Sequence, residues 1–143
     1  MTPADPAVPA PPRVLLVMPE QWPRALLRAA LREVGYDALG APGLSGALRY
    51  RARVEGRGAV RLVLVDQAVL GEESAALLPE LLRRFASPAT VLLTRAMPAP
   101  SVPDAASAGQ WARIIRRPVS IEGIVTAVQE VLPLEPMSIR PLD

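Results

Sequence analysis

Residues 60–65 read VRLVLV and end in one carboxylate, Asp66. A run this apolar over so few residues fits a strand buried on both faces, the condition of strands inside a parallel sheet. Two further runs have the same character: Arg13–Val17 (RVLLV) and Thr90–Thr94 (TVLLT). A fifth strand is expected over Trp111–Arg116, and a weak second one over Tyr36–Leu39.

Between these runs the apolar period changes to that of helices. Leu27, Leu31 and Val34 recur at i, i+4 and i+7, Pro23 suits a first turn, and Gly35 suits a terminator. A second helix is expected from Leu44 to Val54. A third carries Leu77, Leu78, Leu81, Leu82 and Phe85, its regular part starting near Pro79. A short fourth falls within 98–109, among three prolines. Ser120 caps the last helix, whose stripe is Ile121, Ile124, Val125, Val128 and Leu132.

Five strands alternating with about five helices predict an α/β fold: one doubly wound parallel sheet with helices on both faces. Right-handed crossovers favour the flavodoxin-like strand order 2-1-3-4-5. Residues 1–12 hold five prolines and read as an N-terminal tail; residues 13–132 form the domain; residues 133–143 read as a C-terminal tail. No output domain is expected after Leu132.

Composition removes whole classes of chemistry. The chain of 143 residues has no cysteine and no histidine. Disulfides, thiol nucleophiles, Cys/His metal sites and imidazole catalysis are therefore excluded. All 16 basic residues are arginine, so Schiff-base and P-loop lysines are absent too. A net charge of +2 and few aromatics do not suggest nucleic acid. No apolar run approaches the ~20 residues of a membrane span. The N-terminus has no signal-peptide pattern. A cytoplasmic protein without nucleic-acid or membrane partners is expected.

In a doubly wound sheet, ligands bind outside the carboxyl ends of the strands. Met18, Asp66, Thr94 and Arg117 all fall at such ends. With these positions in place, the chain resembles the receiver domain of bacterial response regulators, of the chemotaxis-regulator type, over residues 13–132. In that family an aspartate ending the third strand accepts a phosphoryl group from a histidine kinase. Asp66, in VLVDQAVLG, stands at that position, and Gly71 at the usual loop glycine. Thr94, in VLLTRAM, matches the hydroxyl residue of the fourth strand. Arg117-Pro118, in RIIRRPVS, matches a Lys-Pro pair whose peptide bond is cis.

The departures from the pattern matter more. The acid pair that holds Mg2+ in the family falls on Met18 and Pro19, with Glu20 the nearest acid. The lysine is Arg117, the small residue after the threonine is Arg95, and the fifth-strand aromatic is Ile114. A thioether is a poor ligand for a hard cation, and proline offers only a carbonyl. The resemblance thus implies a degenerate receiver with its Mg2+ site lost and no cofactor. Such a domain is not an enzyme. It acts as a stand-alone, phosphorylation-independent interaction module in signal transduction. Its partner would be a histidine kinase, a downstream effector, or a second copy. In the family the docking surface maps to residues 101–132. Two other readings stay open: a working single-domain regulator phosphorylated at Asp66, and an unrelated α/β enzyme or small-ligand binder. The turn MPEQWP has no glycine, which speaks against a dinucleotide fingerprint.

Each residue also has a plainer reading. Asp66 caps a loop or pairs with Arg117; Thr94 is a strand-end hydroxyl; Glu20 answers a helix dipole. The arginines 49, 51, 53, 57 and 61 form a solvated surface, and Trp111 is packing.

Overall fold

The computed structural model describes residues 10–71, 76–95 and 111–134. Strand β1 is Arg13–Val17, helix α1 Gln21–Val34, β2 Asp37–Ala41 and α2 Leu44–Ala47. Then follow β3 (Arg53–Val54), β4 (Gly58–Asp66), a 3-10 turn (Gln67–Val69), α3 (Leu77–Arg84), β5 (Ala89–Leu93), β6 (Arg113–Ile115) and α4 (Ile121–Val131). The expected helix within 98–109 and the outer parts of both tails lie outside the described residues.

The sheet runs β2-β1-β4-β5-β6, every neighbour parallel. This is the expected 2-1-3-4-5 order with one addition: the two-residue β3 pairs antiparallel with the start of β4. The addition corrects the long second helix. Only Leu44–Ala47 is helical. Tyr50 is held across the chain instead: its hydroxyl donates to the Gly40 carbonyl at 2.6 Å, and its own carbonyl accepts from Arg84 Nε at 2.9 Å. These contacts draw the segment into β3, and tertiary bonding outweighs weak local helix preference.

The two faces carry separate cores. Val14, Leu16, Leu62, Leu64, Val91 and Leu93 pack toward α1 and α4 with Leu27, Leu31 and Val128. Leu15, Val17, Val60, Val63 and Val65 pack toward α2 and α3 with Leu44, Leu78, Leu81 and Phe85. Strand alternation sends successive side chains to opposite faces. Along β4 the register against β1 slips at Arg61: Arg13 pairs with Val60 but Val14 with Leu62. The slip leaves Arg61 exposed and sends both Val60 and Val63 to the same face.

Helix ends follow their sequence signals. Gly35 closes α1 with φ of 119°, a conformation that penalises any Cβ. The Ser120 hydroxyl accepts from the Gly123 N–H at 3.0 Å at the start of α4. Glu20 is the N-cap residue of α1 and makes no side-chain cap bond. Val34, the third position of the apolar repeat with Leu27 and Leu31, lies in the last turn of α1 and is 39% exposed. At the amino end of the sheet, Arg13 is buried with a side-chain exposure of 3%, its Nε 3.5 Å from Asp37 Oδ2. Arg57 clasps the same carboxylate through two bonds of 3.0 and 2.9 Å. No helix among the described residues is long and apolar enough to cross a membrane.

Candidate functional site

Parallel packing brings the last residues of β1, β4 and β5 and the segment after β6 to one rim. Asp66 ends β4 and is 5% exposed. Among the described residues, three donor atoms reach its carboxylate. Oδ1 accepts from the Ala68 N–H at 2.9 Å, so Asp66 caps the 3-10 turn that follows it. Arg117 Nη2 reaches Oδ2 at 2.8 Å, and Nη1 lies 3.5 Å from Oδ1. The guanidinium is itself fixed, since Nη1 also donates to the Thr94 carbonyl at 2.7 Å. Arg117 is one-quarter exposed at its side chain. The pair is thus mostly withdrawn from water, where attraction between opposite charges is weakly screened.

Thr94 follows β5 and is buried. Its N–H donates to the Ile115 carbonyl at 2.9 Å, and its hydroxyl accepts from the Arg117 N–H at 3.4 Å. Thr94 therefore meets Arg117 through main chain and side chain together. The Arg117–Pro118 peptide is cis, the form implied by the family resemblance, and Pro118 is exposed.

The β1 end of the rim is built differently. Met18 is 2% exposed and belongs to the core beneath α1. Its N–H donates to the Ala41 carbonyl at 3.0 Å, and its carbonyl accepts from Arg24 Nη1 at 2.6 Å. Gly40 makes room for that reach: a Cβ there would lie 3.1 Å from Arg24 Cδ. Pro19 and Glu20 are exposed. The structure thus brings Asp66, Thr94 and Arg117 into one bonded group, while the Met18 side chain is buried in the core.

Two contributors were not expected from sequence. Arg24 covers the Met18 carbonyl, but nothing local separates it from Arg28 or Arg32 on the same helix. Gln67 is buried, and its Oε1 accepts from the Arg95 N–H at 3.1 Å, tying the loop after β4 to the loop after β5. A polar residue directly after the rim aspartate was its only signal.

An Mg2+ ion needs several oxygen ligands in near-octahedral array, usually with at least one free carboxylate. Here the rim carboxylate is engaged by one guanidinium, and the Met18 carbonyl by another. No group of three His, Cys, Asp or Glu side chains converges among the described residues. This donor set does not fit the ion.

No protein-family model and no curated protein matches the chain. Solved structures do. A response regulator from Thermotoga maritima superposes with a TM-score of 0.63 at 20% identity, covering 85% of this chain and 97% of that one. A receiver domain protein from Methanospirillum hungatei JF-1 gives 0.66 at 17% identity, covering 85% and 93%. The signal receiver domain of an HD domain-containing protein from Pseudomonas fluorescens Pf-5 gives 0.67 at 23%, covering 85% and 94%. With the strand order and the rim at the carboxyl ends of the strands, these likenesses establish that the chain has the fold of response-regulator receiver domains.

Proposed function

We propose that this chain is a degenerate receiver: a signal-transduction module that works by protein contact, without phosphorylation of Asp66 and without bound Mg2+. The observation that carries the reading is the bond between Asp66 Oδ2 and Arg117 Nη2, at 2.8 Å. Phosphoryl transfer to a carboxylate needs a free oxygen, in-line access and a cation balancing the charge that builds on the phosphoryl oxygens. In this rim a fixed guanidinium already balances the charge of the would-be nucleophile. Freeing Asp66 for attack means breaking a largely buried pair, a cost of several kcal/mol, and each ~1.4 kcal/mol slows the step about tenfold. The partner is then a kinase, an effector or another copy, recognised by surface rather than by a phosphoryl switch.

The test is incubation of the full chain with acetyl phosphate, with and without Mg2+, followed by intact mass measurement. The expected result is no phosphoryl adduct under either condition. A stoichiometric adduct that disappears in Asp66→Asn would mean that Arg117 swings aside, and that Thr94 and Arg117 cradle a phosphoryl group instead of silencing the site.

A further inference from the structure

The chain from Leu48 to Arg53, drawn out of helix at Tyr50, forms one wall of an open depression of about 690 Å³. Helix α3 forms the other. Arg51 and Arg53 line it from the first wall, Arg83 and Arg84 from the last turn of α3. Four guanidinium groups thus meet one carboxylate, Glu80, and no aromatic ring. Leu48 and Ala52, both partly buried, complete the lining. Arg84 Nε donates to the Tyr50 carbonyl at 2.9 Å and ties the two walls together.

The helix dipole favours cations at a carboxyl end, which accounts for Arg83 and Arg84. It does not account for Arg51 and Arg53, which belong to another element. Among the described residues, none of these four arginines forms an ion pair, whereas Arg13 and Arg57 share Asp37, Arg113 meets Glu130 and Arg117 meets Asp66. Like charges gathered without a counter-charge repel one another.

We propose that this depression binds a small anion carrying two or more adjacent phosphate groups. The planar fork of arginine donates two parallel hydrogen bonds to phosphate oxygens. Phosphate places more charge and more acceptor oxygens in a given space than a carboxylate does, which suits four forks in one concavity. The volume falls in the range of small-molecule sites, roughly 300–1,000 Å³. The lining offers no ring on which a base could stack, so the phosphates carry the recognition. The site lies at the opposite end of the sheet from the rim: β3 pairs with Gly58 and Ala59 at the start of β4, and Asp66 ends that strand. The inference goes beyond the contact-module reading by giving the module a ligand. Its failure would leave the Asp66–Arg117 rim as it is.

The test is equilibrium dialysis of the full chain against inorganic tripolyphosphate at about 0.15 M salt. Saturable binding is expected, weakening as salt rises, because the four arginines are exposed. Orthophosphate, with a single group, is expected to bind at least about tenfold more weakly. Arg53→Gln and Arg83→Gln, one from each wall, should each weaken tripolyphosphate about tenfold and together abolish binding, with unchanged melting temperatures. Arg32→Gln removes the same charge from an exposed position on α1, across the sheet, and should bind as the wild type does. ATP separates the sources of the ligand: binding tighter than tripolyphosphate identifies a nucleotide, and equal or weaker binding identifies free polyphosphate. A wild-type chain that binds no tripolyphosphate overturns the proposal. So does binding that survives the double variant or that falls equally in Arg32→Gln. A Glu-rich peptide that binds as tightly as tripolyphosphate also overturns it, since the patch then answers an acidic protein.

Discussion

Arg117 holds Asp66 across 51 residues of sequence, Nη2 to Oδ2 at 2.8 Å, while its other terminal nitrogen grips the Thr94 carbonyl at 2.7 Å. The carboxylate is thus locked from the far side of the sheet rather than from its own strand. This arrangement makes Arg117 a structural residue as well as an electrostatic one.

Arg117→Ala leaves Asp66 buried with the Ala68 N–H as its remaining partner from this set. A double-mutant cycle with Asp66→Asn is expected to give a coupling energy of about 1–3 kcal/mol in urea unfolding. Coupling near zero would mean that the two groups are separately solvated.

The Arg13–Asp37–Arg57 cluster predicts an asymmetry. Arg57 is half-exposed, so Arg57→Ala is expected to cost less than about 1 kcal/mol. Asp37→Ala strands the buried Arg13 guanidinium without its carboxylate, and about 3 kcal/mol is expected. Chemical denaturation of the two variants side by side checks the order.

Tyr36 sets an alkaline limit. Its hydroxyl donates to the Leu132 carbonyl at 2.6 Å, and burial raises its pKa above the ordinary 10.0. Above roughly pH 10 the unfolded chain releases this proton while the folded chain keeps it. The unfolded state then binds fewer protons, so stability falls as pH rises, by at most about 1.4 kcal/mol per pH unit from this group. Tyr36→Phe should flatten that part of the profile. At neutral pH it should cost about 1 kcal/mol, because the Leu132 carbonyl loses its donor. Melting curves from pH 7 to 11 for both proteins provide the comparison.

Mg2+ should not stabilise the fold. A ligand at a concentration equal to its dissociation constant adds about 0.4 kcal/mol, roughly one to three degrees in a domain of this size. With about 10 mM MgCl2, the melting temperature is expected to match a control of equal ionic strength, as no millimolar-affinity site contributes its binding energy. A rise of several degrees, abolished by Asp66→Asn, would restore a metal to the rim.

Much of this molecule was legible in its sequence. The apolar runs at 13–17 and 60–65 and the helical stripe ending at Leu132 are local patterns, dictated by which faces must be dry. They placed β1 and α4 almost to the residue and the centre of β4, which begins two residues earlier than expected, at Gly58, and ends on Asp66. The ends of α1 and α4 were equally readable, because Gly35 and Ser120 act through their own backbone neighbourhood. What sequence could not decide were bonds between distant segments. The run from Leu48 to Val54 has the composition of a helix, yet Tyr50 is captured by Gly40 and Arg84 and the chain extends into β3. Arg24 and Arg28 look alike on paper, but one covers Met18 and the other the Ala38 carbonyl of the edge strand. Above all, an aspartate and an arginine at the same rim could each have faced water. That they face each other follows from parallel strands converging in space and from a guanidinium anchored by Thr94, a relation that no local period encodes.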